Sequence, residues 1–164
     1  MILGFVILIL AILLALVMFK AKVAKSKYRE LRKLVDDLTV EEAHVRWQAA
    51  ATRNGDWAGN VSGLTLQRIL DGQTGEIEFL PVRLTIGRGN YNAPKVLTDE
   101  FQVIGVIGSD DFAWICCRFG NDNIWELDGT EKKEGERNAS KFLSLFHYLL
   151  FVNSYYEGGK RKST

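Results

Sequence analysis

Two cysteines, two prolines and two histidines are all that 164 residues contain of these types. So few cysteines exclude a disulfide scaffold, and the pair Cys116-Cys117 with the distant His44 and His147 excludes a four-ligand structural zinc site. Two prolines exclude a collagen-like or proline-rich stalk. Charge of one sign is also lacking: the formal net charge is +1, without the broad basic field of a nucleic-acid binder. With 47% apolar, 25% charged and 11% aromatic residues, most of the chain is expected to fold, and its length suits one compact domain plus an appendage.

Catalytic signatures are missing as well. There is no G-x-S-x-G, no H-E-x-x-H and no Ser/His/Asp set in local context. Gly87-Arg88-Gly89 lacks the third glycine and the following helix of a phosphate loop. The run NDNIWELD at 121–128 lacks the glycine and distal glutamate of a calcium loop. His44 reads as a surface helix residue and His147 as a satisfied partner in an apolar segment. The expectation is a non-enzyme with no metal and no cofactor.

What is present begins at the N-terminus. From Met1 to Phe19 no side chain is charged and nearly all are aliphatic. At about 1.5 Å per residue such a helix is roughly 28 Å long, close to the hydrocarbon thickness of a bilayer. A core helix would carry a polar stripe, and a cleaved signal peptide a basic start and a small-residue cleavage site; neither is found. Residues 1–19 therefore read as a single transmembrane helix. Lys20, Lys22, Lys25, Lys27, Arg29, Arg32 and Lys33, against Glu30 alone, give the following flank a charge of +6. The positive-inside rule puts the N-terminus outside and the rest in the cytoplasm, with these seven cations on anionic headgroups. Residues 34–159 hold eleven cations against nineteen acids, a net −8. An acidic body is expected to stand off the lipid.

A cytoplasmic body makes the sequons Asn60-Val61-Ser62 and Asn138-Ala139-Ser140 chance matches. In a strand Cys116 and Cys117 point to opposite faces, which suits two reduced thiols in a reducing compartment.

Residues 20–53 read as basic juxtamembrane and linker helices. Val23, Tyr28, Leu31, Leu34, Val35 and Leu38 recur at helical spacing, so the membrane helix is expected to run on through Asp37. Thr39-Val40-Glu41-Glu42 is a capping box that starts a second helix with Val40, Ala43, Trp47 and Ala50 or Ala51 on one face, ending before Gly55. That face is expected to pack on the chain's own domain.

After Gly55 the texture becomes β-rich to about residue 157. WAGNVSGLTLQRI reads as a first strand, and EIEFLPVRLTIG as another with Pro81 forcing an edge or bulge. RGNYNAP at 88–94 is a loop, and EFQVIGVI, FAWICCRF and NIWELDG form an antiparallel meander. The run 129–138 is a solvated loop. ASKFLSLFHYLLFV shows neither period cleanly; a helix capped by Asn138 or Ser140 and ended by Glu157-Gly158-Gly159 is preferred over a buried strand. Residues 158–164 form a basic tail. The fold class expected is α+β, mainly β: one transmembrane helix, a helical linker, then a small antiparallel β-barrel or β-roll with a C-terminal helix.

Gly55-Asp56-Trp57 follows a helix and opens the β-rich part. It resembles the G-x-W start of lipocalin-like (calycin) barrels, over residues 55 to about 128. The resemblance implies that Trp57 plugs one end of a barrel and that a late arginine, here Arg118 beside Trp114, packs on that ring. A cytoplasmic barrel behind a membrane segment is also similar to the membrane-anchored β-barrel effectors of bacterial cyclic-oligonucleotide defence, which carry two N-terminal spans where this chain shows one.

The functional expectation is a membrane-tethered cytoplasmic binding module without a catalytic site. Trp57, Arg83, Trp114, Arg118 and Trp125 are its candidate ligand residues, since a small anionic ligand calls for aromatic faces and guanidinium groups. The alternative is a single-span accessory subunit docking other membrane protein subunits, with a ligand-gated membrane effector behind it.

Overall fold

The structure is a computed structural model that describes residues 1–53, 61–79, 82–89, 91–109, 112–129 and 139–160, the side chains of Val96 and 157–160 excepted. The chain divides into two units, Met1–Leu34 and Val35–Thr164.

The first unit is helix throughout. α1 runs from Ile2 to Asp36 without a break, so the apolar segment and the basic flank form one rod, as the spacing suggests. Its apolar half has an 18-residue window of mean hydropathy 3.3, long and apolar enough to cross a membrane. Val23 and Leu34, on the expected apolar stripe, are exposed, and Val35 is the residue of α1 that is buried.

The second unit opens with α2, Val40–Arg53. The capping box forms as read: the Thr39 amide donates to Glu42 Oε2 at 2.8 Å, and the Glu42 amide donates to Thr39 Oγ1 at 3.2 Å. The Thr39 amide bond holds the Glu42 carboxyl below its usual range. Ala43, Trp47, Ala50 and Ala51 are buried; Val40 is not, because it sits at the first turn, beyond the covered face.

The expected first strand is corrected. Of its described part, Leu66–Leu70 is a short helix, α3, capped by the Thr65 hydroxyl, which accepts from the Arg68 amide. A hydroxyl cap outweighs the β propensity of so short a segment. The next run is also two elements rather than one: β1, Gly75–Glu78, and β2, Arg83–Ile86, pair as a hairpin, with Leu80 and Pro81 outside the described residues. The two strands are joined by the Phe79 amide donating to the Val82 carbonyl at 2.7 Å. The described residues of the expected loop, 88–89 and 91–94, are in neither helix nor strand, but α4, Lys95–Glu100, follows them. Then come β3, Gln102–Gly108, β4, Phe112–Cys117, and β5, Ile124–Asp128, the meander that the turn signals indicate. The last run splits into β6, Ala139–Phe142, and α5, Leu145–Lys160, so strand and helix are both correct over part of it. Ser144 is the cap, its carbonyl taking the Tyr148 amide and its hydroxyl the His147 amide, in place of Asn138 or Ser140. The glycines at 158–159 do not end α5.

The six strands lie in the order β1-β2-β3-β4-β5-β6, all antiparallel, with β1 and β6 as edges. The sheet is not closed into a barrel, which corrects that expectation. A second layer of helices does what closure would do. Ile77, Leu84, Ile107, Ile115, Ile124 and Phe142 share one face by register. α5 covers that face: Phe142 meets Tyr148 edge-on at 5.1 Å and Phe151 at 5.3 Å, and Phe79 stacks on Tyr156 at 5.4 Å. α2 packs on α5, where His44 stacks on Phe146 at 4.2 Å. A bulge in β3 places Ile104 as an extra residue, and its carbonyl takes the Gly87 amide. The bulge brings the backbones so close that a Cβ at Gly105 would lie 2.5 Å from the Thr85 carbonyl.

Candidate functional site

Alternation along β4 and β5 puts Trp114, Cys116, Trp125 and Leu127 on the face away from α5. Among the described residues no long helix covers them. The segment from Tyr91 to Phe101, including α4, lies over this face as a strap, with Leu97 buried and Tyr91, Ala93 and Phe101 half-buried against the tryptophans. The strap is pinned at both ends. At its start the Tyr91 hydroxyl donates to the Gly87 carbonyl, and burial pushes the phenol's pKa up. At its end Glu100 pairs with Arg118.

Arg118 is the pivot of this end. It follows β4 on the strapped face, and its guanidinium lies 4.7 Å from the Phe101 ring centroid and 5.0 Å from that of Trp125. Phe101 and Trp125 tilt against each other at 5.5 Å. Lys141, the cross-strand neighbour of Trp125, brings a second cation to 5.7 Å from the same ring. Cations over aromatic faces within about 6 Å are attracted by the ring quadrupole.

Beside the strap opens a cleft of 680 Å³ lined by Arg88, Tyr91, Asn92, Thr98 and Phe101 among others. Its size is that of small-molecule sites generally. Arg88 reaches back to the Leu70 carbonyl at 3.3 Å, and Asn92 holds a left-handed backbone, φ 51°, which asparagine tolerates. No carboxylate lines the cleft among the described residues.

The structure thus brings Trp114, Arg118 and Trp125 to one face. Arg83 shares that face but sits at the opposite end, in the β1–β2 hairpin, where it pairs with Glu76 at 3.3 Å and Glu78 at 3.4 Å. Trp57 lies outside the described residues. Phe101, Glu100 and Tyr91 escaped sequence reasoning, and Arg88 was set aside with the incomplete phosphate loop Gly87-Arg88-Gly89. A further signal was the length of the β2–β3 connection, since long connections in compact domains tend to carry function.

His147 makes a poor ligand. His147 is wholly buried, with Nε2 donating to the Leu38 carbonyl at 2.9 Å and Nδ1 accepting from the Ser144 hydroxyl at 2.7 Å, the tautomer following from the carbonyl partner. Among the described residues no three His, Cys, Asp or Glu gather as a metal centre would need. Cys116 and Cys117 are buried thiols, and burial raises the Cys117 pKa, which suppresses its thiolate.

Comparison with protein families, curated proteins and solved structures gives no match to this chain.

Proposed function

We propose that the chain is a membrane-tethered cytoplasmic binding module, rather than an enzyme, that takes a small anionic ligand on the strapped face of its sheet. The observation that carries this reading is a 680 Å³ cleft, free of carboxylates among the described residues, that Arg88 lines together with Tyr91 and Phe101, the Phe101 ring lying under the Arg118 guanidinium. Polar anchors beside aromatic walls are what such sites use for orientation and affinity. α1 supplies the tether, and its seven cations from Lys20 to Lys33 supply orientation and headgroup contact. Purification of the full chain from membranes in mild detergent, followed by mass spectrometry, tests the reading. A co-purifying small anion supports it, whereas a stable complex with other membrane subunits and no small molecule removes it. Orientation is tested separately: a thiol placed by Ser163→Cys stays unlabelled by impermeant reagents in intact cells, and labelling there would reverse the assignment.

The accessory-subunit reading has its own observation. Phe119 stands fully exposed in the β4–β5 turn, and Leu143 is exposed nearby, the Asn123 amide donating to its carbonyl at 3.2 Å. A docked partner would cover both, so Phe119→Ser would release any subunit held there.

A further inference from the structure

We propose that the cleft selects a planar ring bearing one carboxylate or phosphate, with Arg88 as the anion anchor and Arg118 as a positioning residue that holds the Phe101 wall. This rests on the binding-module reading and names its ligand class. Charge is the first argument. The body from 34 to 159 carries −8, so most of its surface repels anions; this cleft has Arg88 as its one cation and no carboxylate among the described residues. Hydrogen bonding is the second. Arg88 is exposed and, among the described residues, makes one long bond, 3.3 Å to the Leu70 carbonyl, while a guanidinium has five donors in a fixed fork suited to carboxylate or phosphate. The third is composition: the half-buried aromatics Tyr91 and Phe101 and the neutral polar residues Asn92 and Thr98 are among its lining. Arg118 cannot serve the anion equally well. Glu100 already pairs with it, and its guanidinium lies over Phe101 and Trp125. Its part is to fix the ring that the ligand meets.

The test is isothermal titration of the full chain in mild nonionic detergent, with the detergent blank subtracted, using indole-3-acetate and uncharged indole-3-acetamide as probes. The acid is expected to bind about tenfold tighter than the amide. Arg88→Gln should abolish that preference by weakening the acid far more than the amide, and Arg88→Lys should restore part of it. Arg118→Gln should weaken both probes alike and keep the preference. An unchanged thermal midpoint in Arg88→Gln separates these effects from misfolding. Equal binding of both probes, or a preference indifferent to Arg88→Gln, overturns the assignment while leaving the module reading in place. Failure of both probes to bind overturns the ligand class; the module reading then stands or falls on what co-purifies.

Discussion

On the face of the sheet that carries Ile77, Leu84, Ile115 and Phe142, a sixteen-residue helix does the covering and a second helix packs on it. On the opposite face a loop and the six-residue α4 cover two tryptophans, and the strap's ends are held by a tyrosine hydroxyl and an ion pair. The first arrangement buries Trp47, Tyr148 and Phe142 completely; the second leaves Tyr91 and Phe101 half-open beside a cleft. Both faces are apolar at the centre, so hydrophobicity alone does not explain the difference. What differs is how much regular structure stands over each, and a short strap can shift where a packed helix layer cannot. Stability is expected to reside in one face and recognition in the other.

The largest expected effect attacks the helical side. Trp47→Ala, which empties a site at 0% exposure, should cost about 3–5 kcal/mol in the denaturant unfolding of the full chain. On the strap, Leu97→Ala removes a side chain at 5% exposure and should cost about 2 kcal/mol, the low end for its type, because the strap can settle onto the tryptophans. Equal costs at the two positions would break the contrast and make the strap part of the rigid core.

Local chemistry decided what the sequence revealed. The α2 start was legible because a capping box closes within four residues, and the β3–β5 meander because glycine and aspartate mark short turns. α1 was legible because nothing interrupts its helical pattern. Where two local signals compete, the reading failed. Thr65 caps a helix inside a β-rich stretch, and Ser144 starts α5 in the middle of an apolar run. Barrel closure failed for another reason: whether β1 meets β6 depends on what α5 covers, a question no strand answers alone. The candidate site shows the same division. Trp114, Arg118 and Trp125 followed from aromatics and cations in recognisable strands, but the packing of Phe101 on Trp125 joins residues 24 positions apart through a strap with no periodicity.

A smaller effect sharpens the strapped face. Arg118 touches Trp125 in an exposed setting, where cation–aromatic contacts are modest, so a double-mutant cycle of Arg118→Ala and Trp125→Phe should show coupling of about 0.5–1 kcal/mol. The Glu100 pair adds little, since the Arg118 and Glu100 side chains are 44% and 60% exposed. Additivity of the two changes would detach Arg118 from the aromatic floor and weaken the case for its positioning role.

The smallest effect shows itself only at alkaline pH and returns to the helical face. Glu126 on β5 faces α5's side of the sheet, opposite Ser140, and lines a second cleft of 290 Å³ with Asp128 and Tyr156. Burial pushes the Tyr156 phenol up to about 12, with the Glu126 charge and Tyr155 adding to it. Burial and then Glu126 raise Tyr148 well above its ordinary value too. An unfolded tyrosine loses its proton near pH ~10. Between that value and the native one, the folded chain keeps protons that the unfolded chain has released, so stability falls as pH rises. The contribution is whole below the unfolded value and is lost as pH climbs through about 12. Absorbance at the tyrosinate band, compared between the full chain and Tyr156→Phe, isolates this one group. Its midpoint should lie near 12, and Glu126→Gln should bring it part of the way down, since burial remains. An ordinary midpoint in the folded protein would mean that α5 does not hold Tyr156 against the sheet, and the rigid side of the comparison would then extend no further than Phe151.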